Sequence, residues 1–144
     1  MIINNLNFFN TMNQDFYLHY FISGVILGII IFQTAIIAPT TFKKLSNDYI
    51  KIFLRSIFPK FFLIIILFSL LSLIIAIIFS SPSFFIILIN FISLSLGLLC
   101  YSLIPITNKS KDQKNEKLFK LLHKISVVST LIILLINFLI IFLV

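Results

Sequence analysis

Four stretches of this sequence, residues 20–38, 61–79, 84–106 and 125–144, run for 19 to 23 residues without a single Asp, Glu, Lys or Arg. A hydrocarbon core about 30 Å thick is crossed by about 20 apolar residues in helical form, so each stretch is long enough to span it. In lipid every backbone N–H and C=O must be bonded within the protein, which leaves helices and closed barrels. Runs such as Phe62-Leu63-Ile64-Ile65-Ile66-Leu67-Phe68 have no period-two polar face, so helices follow. The chain is 60% apolar and 10% charged, against about 25% charged in soluble domains, so a water-facing surface cannot be assembled from it. The expectation is an all-α integral membrane four-helix bundle, one domain over residues 1–144, with no room for a separate catalytic domain. Residues 1–20 carry no basic residue and no small-residue cleavage pattern, so the first span reads as a retained helix rather than a signal sequence.

The charges are sorted along the chain. Lys43, Lys44, Lys51, Arg55 and Lys60 lie between spans one and two, and Lys109, Lys111, Lys114, Lys117, Lys120 and Lys124 lie before span four. The amino-terminal segment and the Ser80-Ser81-Pro82-Ser83 turn carry no basic residue. The positive-inside rule then puts both basic segments in the cytoplasm and both termini outside, in the inner membrane. The net charge of +7 is accounted for by orientation and by attraction to anionic headgroups. Nucleic acid is not an expected partner, since no folded basic domain is available to present these lysines. Cys100 is the one cysteine, so neither a disulfide framework nor a thiol metal cluster arises from spacing.

The first basic segment has the pattern of a short interfacial helix. Ser46, Asn47 and Asp48 offer N-cap chemistry, Leu45, Tyr49, Ile52, Phe53 and Ile57 recur at helical spacing, and Pro59 marks a bend into span two. In the second segment Asp112 and Glu116 stand at the start of a helix that runs from about Asn115 into span four. The two junctions also resemble each other: Pro39, Thr41, Lys43, Lys51, Ile52 and Phe53 align with Pro105, Thr107, Lys109, Lys117, Leu118 and Phe119. A duplicated helical hairpin and convergent membrane-exit chemistry both account for that repeat.

Several small motifs occur in a recognisable order. Gly24-Val-Ile-Leu-Gly28, Ile37-Ala38-Pro39-Thr-Thr-Phe42, Ile57-Phe58-Pro59, Ile104-Pro105 and Phe119-Lys-Leu-Leu-His123-Lys-Ile-Ser126 together resemble the transmembrane protein 205-like family, also known as domain of unknown function 4149. The resemblance covers roughly residues 20–142, and its matched positions are Gly24, Gly28, Pro39, Phe58, Pro59, Pro105, His123 and Ser126. It implies a four-helix integral membrane protein without an established catalytic activity.

Polar groups inside the spans are the remaining site candidates, because such groups are costly in hydrocarbon and usually face the bundle interior. Counting about 1.5 Å per residue, Asn90 lies about 9 Å below the outer boundary and Asn137 about 18 Å above the inner one, which makes them a candidate interhelical pair. Gln33 and Thr130 both fall about 7.5 Å from the inner boundary. On span four Glu116, His123, Thr130 and Asn137 repeat every seven residues, facing a stripe of Asn90, Ser93, Gly97, Tyr101 and Ile104 on span three. Such a seam acts as hydrogen-bond glue, or as a hydrated pathway for a small solute. Gly24 and Gly28, with Ala35, form a small-residue face suited to packing within the bundle or to a homodimer. His19 and His123 enter their spans from opposite sides, about 30 Å apart, so they do not form a joint haem or metal site. His123 stands where Tyr101, Thr107 or Glu116 can reach it. No catalytic constellation, cofactor or metal ligand set is legible, and every acid lies outside the spans. The leading expectation is a non-enzymatic membrane protein acting through packing, lipid or partner contact. A small-solute permease is the alternative, and a haem- or quinone-associated redox protein is a lesser one.

Overall fold

The computed structural model describes residues 18–79 and 84–142, which are helical except at 45–46 and 113–115. Asp15, the Ser80–Ser83 turn and the last two residues of span four lie outside the described residues. The four helices are α1 (Leu18–Lys44), α2 (Asn47–Phe79), α3 (Phe84–Asp112) and α4 (Glu116–Phe142), each long and apolar enough to cross a membrane. Short connections make successive helices antiparallel neighbours.

The exterior of this bundle is apolar. Phe21, Ile77, Phe84, Phe91 and Leu135 are each more than half exposed, and they stand among many outward-facing Leu, Ile and Phe side chains. The core is a column of Ile22, Ile26 and Ile30 from α1, Phe61, Phe62, Ile65 and Ile75 from α2, Cys100 from α3 and Ile133 from α4. Gly97 lets α3 approach α2 closely: a Cβ built there would stand 3.1 Å from Ile66 Cγ1 and 3.6 Å from Ile65 Cγ2. Apolar side chains outside and inside alike are what a lipid solvent permits and water does not.

Three prolines are absorbed rather than used as breaks. In α1 the turn before Pro39 widens into a π-helical segment, Gln33–Ile37, where Ala38 N–H bonds to the carbonyl of Gln33. This wider turn relieves the clash between a proline ring and the carbonyl four residues back. Helix α2 runs unbroken through Pro59 and α3 through Pro105.

The short interfacial helix expected before span two is therefore not present as a separate element: Tyr49, Ile52, Phe53 and Ile57 belong to the first turns of α2. The reason is tertiary. Lys51 Nζ and Arg55 Nη2 lie 2.6 and 2.7 Å from Asp112 Oδ1, and Arg55 also donates to the carbonyl of Asn108 at 3.3 Å. These contacts hold the basic end of α2 upright against the end of α3, so the segment does not fold over onto a membrane surface. Asp112 accordingly closes α3 rather than opening α4. The lysine and arginine hydrogen bonds hold its carboxyl below the usual carboxylate range.

The turn from α3 to α4 is a Schellman motif. Asn115 N–H bonds to the carbonyl of Ser110 at 2.9 Å, Lys114 N–H to that of Lys111 at 3.2 Å, and Lys114 takes a φ of 56°. Asn115 then caps α4, its Oδ1 accepting the N–H of Leu118 at 3.1 Å. Lys111 Nζ rests 4.8 Å over the Phe119 ring across the same turn.

Candidate functional site: a buried polar layer

Against an apolar exterior, the informative side chains are polar and inside. His19 and Ser23 of α1, Ser69 and Ser72 of α2, Asn90 and Ser93 of α3 and Asn137 of α4 are all at most 2% exposed. The helix register brings them within about one helical turn of one another. His19 Nδ1 lies 2.8 Å from Ser72 Oγ, which fixes α1 against α2, and the Gly97–Ile66 approach fixes α3 against α2. Counting back along antiparallel helices from those contacts puts Asn90 level with Ser72, and Ser23 and Ser93 level with Ser69. Asn137 joins from α4 by donating to Ser93 Oγ at 2.9 Å.

The layer is bounded on both sides by apolar tiers. Towards the basic end stand Ile26, Ile65, Cys100 and Ile133, and towards the other end Ile75, Ala76, Ile86 and Ile140, all buried. Within the layer, Asn90 Nδ2 bonds to the carbonyl of Ile86 and Asn137 Nδ2 also bonds to that of Ile133, each at 2.9 Å. Asn137 Nδ2 thus uses both its hydrogens and Asn90 Nδ2 one, while Asn90 Oδ1, Asn137 Oδ1, Ser23 Oγ and Ser69 Oγ make no hydrogen bond.

The seam expected from sequence is reassembled rather than reproduced. Asn137 meets Ser93 instead of Asn90, which lies about one helical turn further along α3. Gly97 packs on α2 rather than α4, and Tyr101 is exposed. On α4 the inward stripe is Leu122, Ser129, Thr130, Ile133, Asn137 and Ile140, while His123 and Glu116 face outward. A straight α-helix drifts about 20° per heptad, so a strict seven-residue repeat leaves one face within three repeats. His123 stacks on Phe119 with ring centroids 5.9 Å apart, and Glu116 pairs with Lys120 at 3.5 Å; Tyr101 and Thr107 make no bond to His123. Gln33 is buried inside the π-helical turn and Thr130 bonds to the carbonyl of Ser126. That same carbonyl receives the Cys100 thiol at 3.9 Å, a link from α3 to α4.

Sequence reasoning named Ser93 and Asn137 but missed Ser23, Ser69 and Ser72. The available signal was spacing: Ser23 is one turn beyond His19, and Ser69 and Ser72 are three apart in an otherwise apolar run.

Gly24 and Gly28 are exposed, and a Cβ at either would meet no atom within 4 Å. Among the described residues, packing within the bundle does not use them. The model for the domain of unknown function DUF4149 matches residues 21–116, a region that takes in nearly all of α1, the whole of α2 and α3, and the first residue of α4. The chain belongs to the DUF4149 family. Gly24, Gly28, Pro39, Phe58, Pro59 and Pro105 fall inside the matched region, and His123 and Ser126 beyond it. No curated protein and no solved structure matches the chain.

Proposed function

We propose that this DUF4149 protein is a non-enzymatic, multi-pass protein of the inner membrane that acts through contact with lipid and with a partner helix. The observation that carries this reading is the open face of α1 at Gly24 and Gly28. Small residues that no described neighbour covers let a second helix approach the backbone closely, and a second copy of this chain is the simplest such partner. At the other end, Lys43, Lys44, Lys109, Lys117 and Lys124 sit beside anionic headgroups, with the basic end in the cytoplasm and both termini outside.

Cysteine crosslinking tests the homodimer. With Cys100 replaced by Ala, Gly24→Cys is expected to give an oxidised dimer in native membranes, and Gly28→Leu to abolish it. A monomer with no crosslink contradicts the reading. Passage of a small solute along α3 and α4 is the second reading, favoured by the buried Asn137–Ser93 bond. The apolar tier of Cys100 and Ile133 and the outward turn of Tyr101 and His123 weigh against it. A haem- or quinone-associated protein would instead copurify with a chromophore.

A further inference from the structure

Each of the four helices contributes one buried oxygen without a hydrogen-bond partner to the same layer: Ser23 Oγ, Ser69 Oγ, Asn90 Oδ1 and Asn137 Oδ1. The parent residues are 0% exposed. The two serines depart from the habit of this bundle. The hydroxyls of Thr34, Thr41, Ser95, Ser102, Thr107, Ser126 and Thr130 all donate to the carbonyl three or four residues earlier. Ser23 and Ser69 leave their own helices unbonded, within about a turn of two amide oxygens that also stand unbonded. A buried polar atom left unpaired is costly, and four within about one helical turn of one another, one from each helix, point to a common partner.

We propose that the layer binds water, which bridges Ser23, Ser69, Asn90 and Asn137 and ties the four helices together. The donor and acceptor inventory selects the occupant. Asn137 Nδ2 spends both its hydrogens on protein acceptors and Asn90 Nδ2 spends one of two. The two Oδ1 atoms require a molecule that donates, while the serine hydroxyls accept or donate and the second Asn90 N–H donates. Water offers two donors and two acceptors, which matches this set. A neutral occupant fits, because among the described residues the layer holds no Asp, Glu, Lys or Arg and one titratable group, His19, whose Nδ1 lies against Ser72 Oγ. It is small, because apolar side chains close the layer above and below.

The test uses the full chain in lipid nanodiscs. Ser69→Ala and Ser23→Ala remove one hydroxyl each and little volume. If water bridges the layer, each lowers the unfolding midpoint, with the folded-to-unfolded ratio falling about fivefold. If the oxygens are dry, removing one leaves the midpoint unchanged or raises it, and the proposal fails. Hydrogen exchange of the thiol introduced by Ser69→Cys, followed by infrared spectroscopy after transfer to D₂O, gives a second readout, with the native Cys100 thiol as the dry reference in the same chain. Faster exchange at position 69 than at Cys100 is expected, and equal or slower exchange overturns the proposal; Ser23→Cys serves if the first variant does not fold. Replacing sodium by choline at constant ionic strength leaves the midpoint unchanged if the occupant is neutral. Stabilisation specific to sodium would assign a cation and overturn it.

Discussion

Gly97 and Gly28 are the same residue in two helices of the same bundle, yet their surroundings call for opposite outcomes on substitution. A side chain at position 97 runs into Ile66, whose backbone N as well as Cγ1 lies within 4 Å. Gly97→Leu is expected to destabilise the fold by about 1–3 kcal/mol through overpacking. A Cβ at position 28 meets no atom of the described residues within 4 Å, so Gly28→Leu should leave the monomer's stability unchanged. Reversible unfolding in mixed micelles separates the two. Asn137→Leu removes the donor to Ser93 Oγ and is expected to cost about 0.6–1.7 kcal/mol, read as lower folding yield. Lys114 holds a left-handed φ of 56° that glycine adopts without strain. Lys114→Gly should therefore stabilise the α3–α4 turn by about 1 kcal/mol, and a lower midpoint would count against the Schellman assignment.

Among the elements, the spans were legible because a charge-free run of about 20 residues has few alternatives in lipid. Their continuations were not. Pro59 reads locally as a bend and the apolar spacing of Tyr49, Ile52 and Ile57 as an interfacial face, but the decision rests on Asp112, 53 or more residues away in sequence, which meets Lys51 and Arg55. The depths of the polar groups are reckoned from rise per residue and their direction from a strict heptad; helical drift leaves His123 off the inward face of α4, and Tyr101 is exposed on α3. Asp112 also gives the element scale its pH dependence. Its carboxyl is held below the usual range when folded, so its contribution is present above the unfolded carboxylate pKa of about 3.9 and is lost as pH falls through the lower folded value. Asp112→Asn is expected to loosen the basic ends of α2 and α3, seen as faster amide exchange at 47–55 and 106–112, and to remove this acid-side loss. Unchanged exchange in those turns would show that the ion pairs do not hold them.

For the whole molecule, the arrangement inverts the rule for water-soluble bundles: most of the exposed large apolar side chains are Phe, Leu and Ile, and the amides of Gln33, Asn90 and Asn137 and several hydroxyls lie inside. The charges add a direction to this, since all eleven basic residues lie at one end of the four helices. Thiol labelling of intact cells tests that account most directly. With Cys100 replaced by Ala, a cysteine at Ser81 should react with a membrane-impermeant reagent from outside, and one at Lys114 should react only after the membrane is permeabilised. Equal labelling of both positions in intact cells, or labelling of the Lys114 position alone, would contradict a four-span bundle with its basic end in the cytoplasm.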